Sequence, residues 1–125
     1  MRFFRNLAIV GFTLMTLLSC EEDFLLLRPD FRPSVVVNSI FKDGKPWVVN
    51  LTYSKDILTP GSEISAITDA QVSVIEKTTK REIILKHISK GVYQSDIYPP
   101  QADKTYELIV MVPGYEKVYA ISTAP

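Results

Sequence analysis

The side chain best equipped for chemistry in this 125-residue chain is the thiol of Cys20, its only cysteine. A lone thiol forms no internal disulfide. With a single histidine besides, the chain holds no zinc-type ligand set. That histidine, His87, sits beside Lys86 on a segment where Ile83 and Leu85 alternate with polar residues. A general base needs a partner that orients it, and the neighbouring residues offer none, so His87 reads as structural or exposed. Ser54, Ser62 and Ser65 lie in or beside a polar loop, without the Gly-x-Ser-x-Gly elbow of a hydrolase. Asp56, Glu63 and Asp69 share that loop. A glycosidase pair must stand about 5 to 9.5 Å apart around a cleft, and a small β domain offers little cleft to desolvate either member. The same carboxylates lack the dense alternation of a calcium loop. Gly44, Gly61, Gly91 and Gly114 are isolated turn glycines, not a phosphate cradle. The expectation is a non-enzymatic chain with no catalytic residue, no metal site and no cofactor beyond what Cys20 carries.

Aromatic side chains are the remaining means of contact. Trp47, Tyr53, Tyr93, Tyr106 and Tyr119 fall mostly at inward-compatible strand positions and read as core. Tyr98, beside Pro99-Pro100, and Tyr115, in a turn, are the two expected to be exposed. They are the candidate ligand contacts, for a sugar ring or a protein surface.

The context of Cys20 gives its thiol a specific chemistry. Met1-Arg2-Phe3-Phe4-Arg5 is a positive start, and Leu7 to Leu18 is an apolar run broken only by Gly11, Thr13 and Thr16. A bilayer core of about 30 Å needs roughly 20 residues, so this run is too short to span and fits a signal-peptide core. It ends in Leu17-Leu18-Ser19-Cys20, which resembles the lipobox of bacterial lipoproteins; Leu18 is bulkier than the residue usual there. The resemblance implies that residues 1–19 are a cleaved signal and that Cys20 becomes a lipid-modified first residue. Several acyl chains then give stable anchoring, at about 0.8 kcal/mol per buried methylene. Glu21-Glu22-Asp23 follow and resemble the surface-export signal of Bacteroidota lipoproteins. Residues 20–33, with Pro29 and Pro33, read as an extended tether.

Composition agrees with one exported domain. The hydrophobic fraction is 46% and the charged fraction 22%, ordinary for a globular chain. Basic and acidic residues balance at 14 each; losing Arg2 and Arg5 with the signal leaves 12 against 14. A nucleic-acid binder needs a clustered basic surface, so that class is excluded.

From Ser34 the pattern has period two. Val35-Val36-Val37 opens a strand, Lys42-Asp43-Gly44-Lys45 is a turn, and Trp47, Val49, Leu51 and Tyr53 share one face of a second strand. Residues 56–69 are a long connection around Pro60-Gly61-Ser62. Ala70, Val72 and Val74, then Ile83 and Leu85, then Gly91-Val92-Tyr93 mark three more strands. Tyr106, Leu108, Val110 and Val112 alternate most clearly, and Val118, Ala120 and Ser122 begin a last strand after Pro113-Gly114. About seven strands at this spacing predict an all-β, antiparallel immunoglobulin-like β-sandwich over residues 34–125. An eight-stranded barrel would need one strand more.

Asp69-Ala70-Gln71-Val72, the Pro100-Gln101-Ala102-Asp103-Lys104-Thr105-Tyr106 corner and Pro113-Gly114-Tyr115 resemble the transthyretin-like, carboxypeptidase-regulatory-type sandwiches. Asp103 stands where that corner usually has Gly; Asp tolerates the left-handed conformation better than most residues. Across the whole chain, the Cys20-Glu21-Glu22-Asp23 start, Val35-Val36-Val37-Asn38, Trp47, Ser54-Lys55, Ile57-Leu58 and Pro113-Gly114-Tyr115 resemble the Bacteroidota lipoprotein family DUF4249, a domain of unknown function. Members continue past the sandwich, so the resemblance implies that this chain is an N-terminal portion or a natural truncation. It also implies an accessory or adaptor at the outer membrane, on its periplasmic or cell-surface face, beside a TonB-dependent transporter. A glycan-binding surface module is the alternative. If a missing C-terminal part normally pairs with the sandwich, the last strand, Val118 to Thr123, presents an unpaired edge that favours aggregation or strand addition by a partner.

Overall fold

The computed structural model describes residues 1–6 and 30–125. The chain divides into two units, Met1–Asp30 and Phe31–Pro125. In the first, residues 2–6 are helical. The apolar run, Cys20, Glu21, Glu22 and Asp23 lie outside the described residues.

The second unit is all-β. Its strands are β1 (Val35–Ser39), β2 (Trp47–Tyr53), β3 (Gln71–Glu76), β4 (Glu82–Ser89), β5 (Val92–Ser95), β6 (Thr105–Met111) and β7 (Val118–Thr123). In β2, β3, β4 and β6 apolar residues recur at every second position, which puts them on one face of a pleated strand. In β2 the alternation is clean: Trp47, Val49 and Leu51 are buried, while Val48 and Asn50 face outward. Turns fall where the backbone must take positive φ. Gly44 (φ 68°) and Gly114 (φ 81°) do so, and Asp103 adopts φ 64°, as its place in the corner predicts.

The strands are the expected seven, but they do not divide into the two sheets of an immunoglobulin-like sandwich. They form one continuous antiparallel sheet in the order β1-β2-β5-β4-β3-β6-β7, strongly curled into a half-barrel. The physical reason is β4. Its first half pairs with β3, from Glu82↔Ile75 to Leu85↔Val72. Its second half pairs with β5, through Lys86↔Gln94 and His87↔Tyr93, before an irregularity at Ser89. One strand therefore carries the hydrogen-bond ladder from one wall to the other.

The curl encloses a single core. Trp47, Val49, Leu51, Val72, Val74, Ile83, Leu85, Tyr93, Tyr106 and Val110 are buried in it. Phe41, Trp47 and Tyr106 cluster, with Trp47 and Tyr106 edge-to-face at 4.8 Å between ring centroids. Such pairs add about 0.5–1.5 kcal/mol beyond area burial. Each polar tip finds a partner. Trp47 Nε1 donates to the Tyr98 carbonyl at 3.0 Å, and the Tyr106 hydroxyl accepts from Gln101 N at 3.0 Å. A tyrosine bonding backbone five residues upstream pins the corner that leads into β6.

The long connection is not solvated throughout. Ile67 is 1% exposed, and Ile67 N donates to the Leu51 carbonyl at 3.0 Å. The Leu51 amide donates in turn to the Gly91 carbonyl at 2.8 Å. Gly91 has φ +78°, and a β-carbon there would run into the Leu51 oxygen. Gly114 also has positive φ but open space around it. Replacing Gly91 by Ala therefore combines backbone strain with a clash, and should cost about 2 kcal/mol or more. Thermal melts of Gly91→Ala and Gly114→Ala check this: the first should fall by roughly 10 °C, and clearly further than the second.

Candidate functional site

The strand order leaves β1 and β7 as the two rims of the half-barrel, each bonded on one side only among the described residues. Between them the core opens in a groove of about 460 Å³. Its walls come from β1 (Val35, Val37 and Ser39) and from β7 (Val118, Ala120 and Ser122), and its floor includes Trp47, Tyr106 and Leu108. No residue lining it is charged. The alternation explains the walls: Val35, Val37 and Ser39 are half-buried, while Val36 and Asn38 between them are exposed.

A second concavity, of about 400 Å³, lies where residues 31–33, the long loop and the Pro113-Gly114-Tyr115 turn meet. Tyr53 and Tyr115 form a tilted ring pair there, 5.5 Å apart at 37°. Burial, then Tyr115, then Asp69, push the Tyr53 hydroxyl above its ordinary range, so it stays a neutral phenol. Lys55, Asp56 and Glu63 line the same hollow. Asp56 serves the loop itself: Leu58 N donates to Oδ1 at 2.9 Å, the Thr59 hydroxyl donates to Oδ2 at 2.7 Å, and the Ser62 hydroxyl donates to the Asp56 carbonyl. An Asx turn of this kind is the usual work of an aspartate in a connection.

The third hollow is smaller, about 180 Å³, between Glu76, Arg81, Tyr98 and Tyr106. Tyr98 is 56% exposed, and the Arg81 guanidinium stacks 4.1 Å from its ring centroid. Glu76 is buried, with Lys104 Nζ 3.1 Å from Oε1. That ammonium is the main cause holding the Glu76 carboxyl below the usual glutamate range, against the opposing cost of burial; Thr79 and Arg81 add to it.

The two tyrosines singled out from the sequence are thus both accessible, at 56% and 39% exposure. They occupy different hollows and form no common platform. Trp47, Tyr93 and Tyr106 are core, as expected, but Tyr119 is 65% exposed. It alternates with Val118 and Ala120 along β7, and it lines the groove together with them. The hydroxyl of Tyr93 donates to the Ile67 carbonyl and accepts from Ala70 N, each at 3.0 Å, closing the long loop onto the core.

His87 is exposed; its ring lies 5.2 Å from that of Tyr93, and its Nε2 accepts a long 3.4 Å hydrogen bond from Gly91 N. Ser54 Oγ accepts from Ser34 N, and Ser62 Oγ is spent on Asp56, so these hydroxyls hold loop backbone. Among the described residues no three His, Cys, Asp or Glu side chains group as metal ligands. The groove between the rims was only half legible in the sequence. The open β7 edge was visible, but not that β1 would face it across apolar side chains.

The Glu76 carboxyl has a lowered value in the folded chain, so its ionised form stabilises the fold. That contribution is complete above the pH at which an unfolded glutamate ionises, and is lost as pH falls through the lower folded value. Melting temperature followed from neutral to acidic pH should therefore drop less steeply in Glu76→Gln than in the unaltered chain. Parallel curves would show that another carboxylate carries the acid sensitivity.

Residues 21–125 match a family model, that of a domain of unknown function (DUF4249). Comparison with curated proteins and with solved structures found no match.

Proposed function

The chain belongs to the DUF4249 family, and on that premise we propose that it is a lipid-anchored, non-catalytic accessory or adaptor domain of the outer membrane. Leu17-Leu18-Ser19-Cys20, at the end of a short apolar run, carries this reading. A thiol in that setting takes a diacylglyceryl group as a thioether and the freed amino group is then acylated, and more than one acyl chain holds a domain stably at a bilayer. Glu21-Glu22-Asp23 fit delivery to the outer membrane, on its periplasmic or outer face. The described surface supports binding over catalysis. His87 accepts from Gly91 N and lies beside the Tyr93 ring, and the loop carboxylate Asp56 is engaged in its own turn. A TonB-dependent transporter is the proposed partner.

Metabolic labelling with a palmitate analogue tests the anchor. Label should enter the unaltered chain and be lost in Cys20→Ala, with the protein moving from the membrane to the soluble fraction. Label retained by Cys20→Ala overturns the proposal. Gentle crosslinking in cells tests the partner: a membrane transporter should copurify, and a chain that stays monodisperse and alone counts against it.

A glycan-binding module is the second reading, and the hollow beneath Tyr115 is the observation that favours it. Two tyrosine rings beside Ser54, Lys55 and Glu63 combine a stacking surface with hydrogen-bonding groups. On a glycan array, Tyr115→Ala should abolish any binding that the unaltered chain shows, while Tyr98→Ala should leave it intact. An array blank for the unaltered chain removes this reading.

A further inference from the structure

The two rims of the half-barrel run in the same direction. Every neighbouring pair in the order β1-β2-β5-β4-β3-β6-β7 is antiparallel, and six reversals bring β7 back to the direction of β1. Seven strands therefore cannot close an all-antiparallel ring, because the rims would have to pair parallel. One strand placed between them, running opposite to both, completes the alternation.

Backbone polarity agrees. Ser34 is hydrogen-bonded to Ser54 of the β2 side, so in the same register Val36 and Asn38 also bond inward to β2. Val35, Val37 and Ser39 then turn their N–H and C=O groups toward the gap. At the other rim Ala124 N donates to the Lys104 carbonyl. In that register Val118, Ala120 and Ser122 bond to β6, leaving Tyr119, Ile121 and Thr123 to face the gap. Among the described residues, two ladders of unpaired backbone groups thus border one apolar groove.

A strand that lies between two others bonds to both, at about 4.8 Å from each. Edge strands are usually defended by charges, prolines or bulges. Neither Val35–Ser39 nor Val118–Thr123 contains a charged residue or proline. An acyl chain or a small apolar ligand could fill the groove but would leave both ladders unbonded.

The geometry points to a strand-acceptor site: the gap between β1 and β7 takes one extended strand of a partner polypeptide, antiparallel to both rims. That strand is uncharged, like the groove, and carries small apolar side chains at every second position. The site does not depend on the membrane anchor or on the transporter as partner.

The test uses the full chain in lipid nanodiscs and a fluorescent heptapeptide, Thr-Val-Thr-Val-Thr-Val-Thr, followed by anisotropy against empty nanodiscs. Saturable binding is expected. In a bound strand the valines and the threonines present their amides to different rims. N-methylating the valines, or separately the threonines, should therefore each weaken binding at least about tenfold. Ala120→Lys, on an exposed position of the groove wall, should abolish binding, and Val36→Lys, on the outer face of β1, should leave it unchanged. Absent saturable binding overturns the proposal. Equal binding of the N-methylated peptides also overturns it, since the groove would then be a mere apolar surface. Light scattering that shows a dimer split by Ala120→Lys overturns it in favour of a second copy as occupant.

Discussion

Leu51 has one amide and one carbonyl to offer on the side away from β1, and two distant parts of the chain take them. Its carbonyl receives Ile67 N from the end of the long loop, and its amide reaches the Gly91 carbonyl at the start of β5. This exchange fits only because Gly91 has no β-carbon. The Tyr93 hydroxyl then clamps Ile67 and Ala70 from the neighbouring strand. A buried backbone group left without a partner costs about 1–3 kcal/mol, so these bonds hold or fail together. Through them β2, β5 and the loop leading to β3 take up a fixed relation, on which the curl of the whole sheet depends.

From that knot the ladder passes through β4 to the other half of the sheet. Because β4 is shared between β3 and β5, the two walls cannot slide as two stacked sheets can. The aromatic cluster of Phe41, Trp47 and Tyr106 fills the end of the core beside the β1–β2 turn. That turn is held in place from outside, with Gly44 N on the Pro100 carbonyl and Asp43 Oδ1 accepting from Ala102 N. One side of the curl is therefore continuously bonded. The other, between β1 and β7, is left open.

A family name with no activity attached gives the surface more weight than usual. In the long loop the Asp56 carboxylate and the Ser54 and Ser62 hydroxyls hold nearby backbone. The domain also exposes apolar and extended features: a groove, two rims unpaired among the described residues, and a pair of tyrosines in a separate hollow. Surfaces of this kind make contacts with other molecules.

Period two in Trp47-Val49-Leu51, in Val72-Val74 and in Tyr106-Leu108-Val110 determined the strands, their buried faces and an all-β fold by itself, because alternation is a local property of a pleated chain. The turns at Gly44, Asp103 and Gly114 were equally local, since positive φ belongs to one residue at a time. The chemistry proposed for Cys20 is likewise read from the residues around it, and Cys20 lies outside the described residues. Tertiary structure decided what depends on pairing across the chain. It split β4 between two partners, made one curled sheet where two were expected, and sank Ile67 out of a polar loop. It also separated Tyr98 from Tyr115 and brought β1 opposite β7. Which strands become neighbours is set by long-range hydrogen bonds and by the shape of the shared core, and no local pattern encodes either.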